Sequence, residues 1–205
     1  IGKDGWLRAI ATGRSLYSFS LVVGERFPVD YIVFSSGAGI YDLHRNRLLS
    51  AYSLSSSETA AAVQVMLRLD LDFMVHRPIP DNHFFQFRRS GRPNADFEMR
   101  IDRYRLFSSP LSGEHRPSTQ LIAVVPVNRP DPSCEKIAEL LPDLTVIRTT
   151  SPLDHCSTWI EVFPSQVSKG HAAAWLAARH GVHRSDVCAV GNDYNDVDLL
   201  EWSGV

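Results

Sequence analysis

Near the carboxyl end, the apolar run 187–190 (Val-Cys-Ala-Val) meets Gly191. Five Asx side chains then follow within seven positions: Asn192, Asp193, Asn195, Asp196 and Asp198. A short run of this kind closed by a glycine suits a buried strand of a parallel sheet. Leu199, Leu200 and Trp202 resume an apolar pattern suited to a helix. The order strand, loop, helix implies an open α/β sheet, in which ligands collect at the carboxyl ends of the strands. The loop offers oxygen donors without an adjacent Cys or His pair, the donor set of a hard cation such as magnesium. The same residues are also good turn formers and helix caps, so on this loop alone the two readings stand level.

The chain is 205 residues long with a formal net charge of −2, enough for one core carrying a smaller inserted unit. Near-neutral charge gives no general attraction to nucleic acid or to an anionic membrane, and no apolar run approaches the length of a membrane span. Cys134, Cys156 and Cys188 are odd in number and form no Cys-x-x-Cys pair. That argues against a disulfide framework or a zinc site, and a cytoplasmic protein is expected. The first residues read as the end of a helix broken by Gly2 and Gly5. An α/β unit calls for a strand before such a helix, so a preceding segment is expected, and a following one after the last helix.

Residues 7–11 read as a strand, followed by Thr12-Gly13-Arg14-Ser15 and an apolar helix through Val23. A hydroxyl and free N–H groups at such a turn suit an anion, although a plain helix cap by Thr12 or Ser15 is the simpler reading of the tetrapeptide. Tyr31–Phe34 is a second core strand. Residues 35–40 imitate a dinucleotide fingerprint, but Asp42 stands where the third glycine should be, and that reading is rejected. Tyr41-Asp42 and residues 45–47 form a hairpin, with 48–52 returning. From residue 54 the texture changes. Ser55 and Glu58 have capping-box spacing, opening a helix with Val63, Met66 and Leu67 on one face. Strands are expected at 71–75, 83–87, 121–125, 144–147 and 158–163. Helices are expected around Phe97, Ile101 and Tyr104, and from Asp131-Pro132-Ser133 to Pro142. The middle is thus an α+β unit with its helices on one face of an antiparallel sheet.

The arginine group Arg88, Arg89, Arg92, Arg100, Arg103 and Arg105 invites an anionic substrate or RNA. Asp96, Glu98 and Asp102 are interleaved, which points instead to a solvated mixed-charge face. His180 and His183 flank Gly181, a helix end, and do not read as a metal pair. Ser168 caps a helix whose first residue is Lys169, with Ala172, Trp175 and Leu176 inward and Gly181 at its end. A cation at that position opposes the helix dipole. It makes sense if a carboxylate, a phosphoryl group or both sit there; an exposed lysine tolerating a small penalty is the alternative.

Three stretches, Ala-Thr-Gly-Arg (11–14), Glu-Val-Phe-Pro-Ser-Gln-Val-Ser-Lys-Gly (161–170) and Gly-Asn-Asp-Tyr-Asn-Asp-Val-Asp-Leu-Leu (191–200), occur in this order. They resemble the second, third and fourth motifs of the haloacid dehalogenase superfamily. The nearest branch is that of the Cof-type phosphatases, with sugar-phosphate and sucrose-phosphate phosphatase relatives. Residues 35–40 look like that branch's Asn-Gly-Ala turn, with Ser36 in place of asparagine. The resemblance implies an α/β, Rossmann-like core with a parallel sheet at 1–50 and 161–205, interrupted by an α+β cap at 51–160. It implies a phosphoric monoester hydrolase acting on a small phosphorylated metabolite through an aspartyl-phosphate, with magnesium as cofactor. Thr12, Lys169 and Asp196 would be catalytic. Thr12, Gly13, Arg14, Lys169 and Asn195 would hold the phosphate, and Asn192, Asp193 and Asp196 the metal. The sequence departs from the pattern twice. The family's Asp-x-Asp strand is absent, and Asn192 follows Gly191 where the family has aspartate, which leaves Asn192 and Asp193 as equal candidates for that ligand. A catalytically impaired member that binds a phosphorylated ligand or a protein partner is the alternative.

Overall fold

The structure is a computed structural model that describes residues 5–23, 27–129 and 134–205. Its elements in chain order are β1 (Ala9–Ala11), α1 (Leu16–Ser20), β2 (Tyr31–Phe34), β3 (Gly39–Asp42), β4 (Arg47–Ala51), α2 (Ser56–Arg68), β5 (Asp72–His76), β6 (Phe85–Arg88), α3 (Ala95–Arg103), β7 (Ser108–Pro110), β8 (Leu121–Val125), α4 (Cys134–Leu140), β9 (Leu144–Thr150), β10 (Thr158–Pro164), α5 (Lys169–His180) and α6 (Val197–Trp202). The chain divides into two compact units, Ile1–Tyr52 with Gln166–Val205, and Ser53–Ser165. Cuts at 50 and 160 would fall inside β4 and β10. A strand's ladder of hydrogen bonds holds it in one unit, so each division comes after the strand ends. Among the described residues no helix is long and apolar enough to cross a membrane.

The first unit is built on a sheet of order β1-β2-β3-β4. Only β1 and β2 run parallel; β3 and β4 add an antiparallel hairpin. Every residue of β2 is buried, and Tyr31, Val33 and Ile40 pack against Ala172 and Leu176 of α5. Gly39 lies opposite Phe34, and a Cβ there would run into the phenyl ring.

Two expectations for this unit fail. The run 187–190 forms no buried strand: Val187 O accepts from Val205 N at 3.2 Å and Ala189 N donates to Val205 O at 3.0 Å, yet Val190 is 90% exposed. β-rich composition makes a strand only where neighbours pair with it and cover it, and among the described residues this run pairs only with the chain's last residues. The helix expected through Val23 stops at Ser20, leaving Leu21 and Val22 exposed. A single helical turn persists only where its face is packed, and here Phe19 is the last side chain to be buried. The helix end expected at Ile1 and Gly2 lies outside the described residues.

The second unit carries a six-stranded sheet of order β7-β6-β5-β8-β10-β9, antiparallel except for β6 with β7. Ser55 and Glu58 form their capping box at the start of α2. Ala62, Val63 and Met66 of α2 join Phe73, Ala123 and Ile137 in one core; Leu67, expected inward, is exposed. The apolar stripe is centred on 59, 62, 63 and 66, so position 67 turns outward. The start expected for α4 at Asp131-Pro132-Ser133 lies outside the described residues.

The helices do not share one face. Phe85 and Phe87 pair with His76 and Met74, on the side of the sheet opposite Phe73. There α3 places Phe97 against Phe87, and Tyr104, just past its end, lies against Phe85, at 6.5 and 6.0 Å between ring centroids.

The arginine group divides accordingly. Arg88 and Arg92 pair with Asp70, and Arg89 with Glu98. Arg100 lies over the rings of Tyr104 and Trp159, at 4.0 and 5.4 Å. Asp96, expected on a solvated face, is 2% exposed and accepts from Trp159 Nε1 at 2.6 Å and Ser151 Oγ at 2.7 Å. Asp96→Leu is expected to cost roughly 3 kcal/mol, because it strands two buried donors. Asp102→Leu should stay within about 0.5 kcal/mol. Urea unfolding of both variants checks this contrast.

Candidate active site

Three segments of the first unit meet at the carboxyl end of β1. Thr12 follows that strand. Its N–H donates to Val33 O at 2.9 Å, its carbonyl accepts from Ser36 N at 3.0 Å, and its Oγ1 accepts from Arg14 N at 3.2 Å. These bonds fix the turn and leave the hydroxyl proton to donate. Ser15, not Thr12, caps α1, accepting from Ser18 N at 3.2 Å. A Cβ built on Gly13 would lie 3.5 Å from both Ser36 Oγ and Asn195 Nδ2, so the Thr12-Gly13 turn sits against the acidic loop.

Ser35 and Ser36 have φ of 48° and 53°, a region that ordinary side chains enter at a cost. That turn brings Gly37 so close to the start of α5 that a Cβ would press into the Ser168 carbonyl.

Lys169 is the first residue of α5, after the Ser168 cap, and is 5% exposed. Its Nζ donates to Asp196 Oδ1 at 2.5 Å and to Asn195 Oδ1 at 2.8 Å. Asp196 Oδ2 accepts from the N–H groups of Asn192 and Asp193 at 3.0 and 3.2 Å. Gly191 allows this fold-back, since a Cβ there would occupy the Asp196 side chain. Asp198 Oδ2 accepts from Gly170 N at 2.7 Å, where the helix dipole favours negative charge. The lysine that opposes the dipole is therefore offset by two carboxylates. Sequence reasoning gave Asp198 no role; 28 residues separate it from Gly170, and no local pattern links them.

Burial would raise the Asp196 pKa, but the Lys169 ammonium and the two loop N–H groups outweigh it, and the carboxyl lies below its ordinary value. A carboxyl depressed by folding stabilises above its unfolded pKa of about 4 and loses that contribution as pH falls through the folded value. The expected outcome is an acid-side loss of stability in this unit, absent in Asp196→Asn. Thermal unfolding between neutral pH and about pH 3 measures it.

The expected site residues are thus partly assembled. Gly13, Lys169, Asn195 and Asp196 are linked by contacts, with Thr12 in the same turn as Gly13. Arg14 is exposed, and its Nη1 donates to Ser18 Oγ at 3.3 Å instead. Asp193 caps the 3-10 turn that precedes α6, its Oδ1 accepting from Tyr194 N at 2.8 Å. Both Asp196 oxygens accept hydrogen bonds, Oδ1 from Lys169 and Oδ2 from the loop N–H groups. Asn192 is exposed and Asp193 part-exposed, and both carry the oxygen donors a hard cation takes. Among the described residues no group of three or more His, Cys, Asp or Glu could hold a metal ion. His180 bonds the Tyr31 hydroxyl at 3.0 Å and His183 caps residues 184–186, so the two do not act as a pair.

The family model for haloacid dehalogenase-like hydrolases matches residues 1–205. The chain belongs to that family. The chain is similar to a Bacillus subtilis (strain 168) protein named "Putative phosphatase YxeH", 23% identical over 184 residues, a match covering 85% of this chain and 63% of the relative's length. Solved structures share the haloacid dehalogenase fold. BT1666 from Bacteroides thetaiotaomicron superposes with a TM-score of 0.70 at 18% identity, over 98% of this chain and 70% of its own. The subclass IIB sugar phosphatase BT4131 gives 0.70 at 14% identity, over 98% and 73%. TM0651 from Thermotoga maritima gives 0.65 at 18% identity, over 96% and 71%.

Proposed function

We propose that this protein is a magnesium-dependent phosphatase that hydrolyses a small phosphorylated metabolite, a sugar phosphate, through an aspartyl-phosphate. The observation that carries this reading is the buried Lys169 ammonium, held by Asp196 and Asn195 beside the Thr12-Gly13 turn. The Thr12 hydroxyl and Gly13 N–H donate to phosphoryl oxygens, and Lys169 neutralises charge as it builds in the transition state. Asp196 holds Lys169 in place. Asn192 and Asp193 would be among the residues that hold magnesium, which would supply positive charge against the phosphoryl oxygens.

The family pattern implies a nucleophilic aspartate and an acid–base aspartate from an Asp-x-Asp motif ahead of the Thr12 motif. The nucleophile attacks phosphorus and the second aspartate protonates the departing ester oxygen. Water then cleaves the acyl phosphate. Membership of the family and the solved sugar phosphatase of the same fold support this assignment. We place the protein in the cytoplasm, with no nucleic-acid partner, since Arg88, Arg89 and Arg92 are tied to carboxylates.

The test is hydrolysis of 4-nitrophenyl phosphate by the protein at its full encoded length. Magnesium-dependent turnover is expected, falling by about 10³-fold or more in Lys169→Ala. The second reading, a ligand-binding member without turnover, is favoured by the uncharged Asn192. Phosphate binding without hydrolysis at full length would select it.

A further inference from the structure

The start of α5 is held twice by the segment that opens α6. Asp196 accepts from the Lys169 ammonium, and Asp198, two positions on, accepts from Gly170 N at 2.7 Å. One short stretch therefore grips Lys169 at its tip and grips the backbone one residue beyond it.

The backbone grip is built into both partners. Gly170 lies within α5, where glycine costs about 1 kcal/mol of helix propensity against alanine. A Cβ at that position would lie 2.7 Å from Asp198 Oδ2 and 2.8 Å from the Asp198 carbonyl oxygen. Only a residue without a side chain lets α6 come this close. Gly170 N is also one of the N–H groups at a helix start that no helical carbonyl serves. The Ser168 cap does not serve it either, because Ser168 Oγ accepts from His171 N at 3.1 Å. A carboxylate from 28 residues along the chain fills the place, and it makes the stronger, charge-assisted form of the bond.

A lysine needs such a hold. Its ammonium stands on a flexible four-carbon stem with about 2 kcal/mol of rotamer entropy. Asp196 and Asn195 fix the tip only while the backbone at 169 keeps a constant distance from their loop. Asp198 supplies that constancy: Asp196 closes the 3-10 turn, and Asp198 lies in the first turn of α6 directly after it. A cation fixed in advance needs no rearrangement as charge develops, and a misplacement of about 1 Å costs up to about 10²-fold in rate.

We propose that Asp198 is a positioning residue: its hydrogen bond to Gly170 N locks the start of α5 to the acidic loop and so sets where the Lys169 ammonium stands. The effect on rate rests on the phosphatase reading; the effect on the lysine does not.

The test compares Asp198→Ala and Asp198→Asn in the protein at its full encoded length. Asparagine keeps an oxygen that accepts from Gly170 N and loses only the charge, whereas alanine loses both. Urea unfolding sets conditions in which the variants stay folded. Asp198→Ser, one atom too short to reach the amide, takes the place of alanine if that variant does not fold. In Asp198→Ala, kcat for 4-nitrophenyl phosphate is expected to fall about tenfold with KM within about threefold. The Lys169 ammonium signal in ¹H–¹⁵N spectra should lose the exchange protection that Asp196 gives it. Asp198→Asn should restore that protection and bring kcat back to within about threefold. The proposal is overturned if Asp198→Ala keeps the ammonium signal of the parent protein, or keeps kcat within about twofold of an active parent. It is equally overturned if Asp198→Asn is as impaired as alanine, since charge and not the hydrogen bond would then be at work. If the parent shows no turnover, the phosphatase reading fails and the ammonium signal alone decides. Protection lost in alanine and kept in asparagine upholds the positioning role; protection unchanged in both overturns it.

Discussion

Lys169→Met is expected to abolish phosphate-ester turnover and to destabilise the first unit by about 3–5 kcal/mol. The two side chains of the Lys169–Asp196 pair are only 6% and 9% exposed. Methionine keeps most of the volume but removes the charge. Asp196 is then a buried carboxylate with two N–H donors and no cation, and Asn195 Oδ1 loses its donor as well. A buried charge deprived of its partner costs far more than the pair contributed together. Two comparisons sharpen the expectation. Lys136→Met breaks the exposed pair with Glu139 and should cost under about 0.5 kcal/mol. The double change Lys169→Met with Asp196→Leu should be less harmful than Lys169→Met alone, because no isolated charge remains. Equilibrium unfolding in urea measures all three. A loss below about 1 kcal/mol for Lys169→Met would mean that the pair does not hold the loop.

Gly37→Ala is the second large effect, expected at about 3 kcal/mol or more. Gly37 has φ +104°, where an L side chain is strained, and its Cβ would meet the backbone of Ser168. A flexible side chain can move aside, but a backbone carbonyl at a helix start cannot without shifting α5. Lys169 is the next residue along, so a shift there also misplaces the ammonium. Gly181→Ala is the control: φ is +64° but the space around it is open, and only the dihedral cost of about 1 kcal/mol is expected. Thermal melts separate the two, and turnover should fall in Gly37→Ala only.

Where the chain's own neighbours decide a structure, the sequence was readable. The Ser55–Glu58 capping box and the limits of α5 at Ser168 and Gly181 rest on contacts a few residues apart. The ordered motifs also identified the family, because spacing along the chain is itself information. What depends on distant partners was not readable. The run 187–190 has strand composition, but strand formation needs a ladder on its edges and cover on its faces. The face chosen by α3 follows from the β5–β6 register, which brings Phe85 and Phe87 to the side opposite Phe73. Asp96 looked solvated among charged neighbours, although its partners are Ser151 and Trp159, 55 and 63 residues away. The acidic loop shows the same limit at the site. There both Asp196 oxygens accept from Lys169 and from the loop's own backbone, contacts that counting oxygens along the sequence does not show.

If Thr12-Gly13, Lys169 and the loop around Asn195 form one phosphoryl-binding pocket, inorganic phosphate should reach all of them at once. A titration of this chain with inorganic phosphate, followed through the Gly13 N–H, the Lys169 Nζ and the Asn195 side-chain amide by NMR, tests this. All three are expected to move together with one dissociation constant, and Lys169→Met is expected to remove the response at Gly13 and Asn195. Shifts with different constants, or no shift at Gly13 and Lys169 under saturating phosphate, would contradict it.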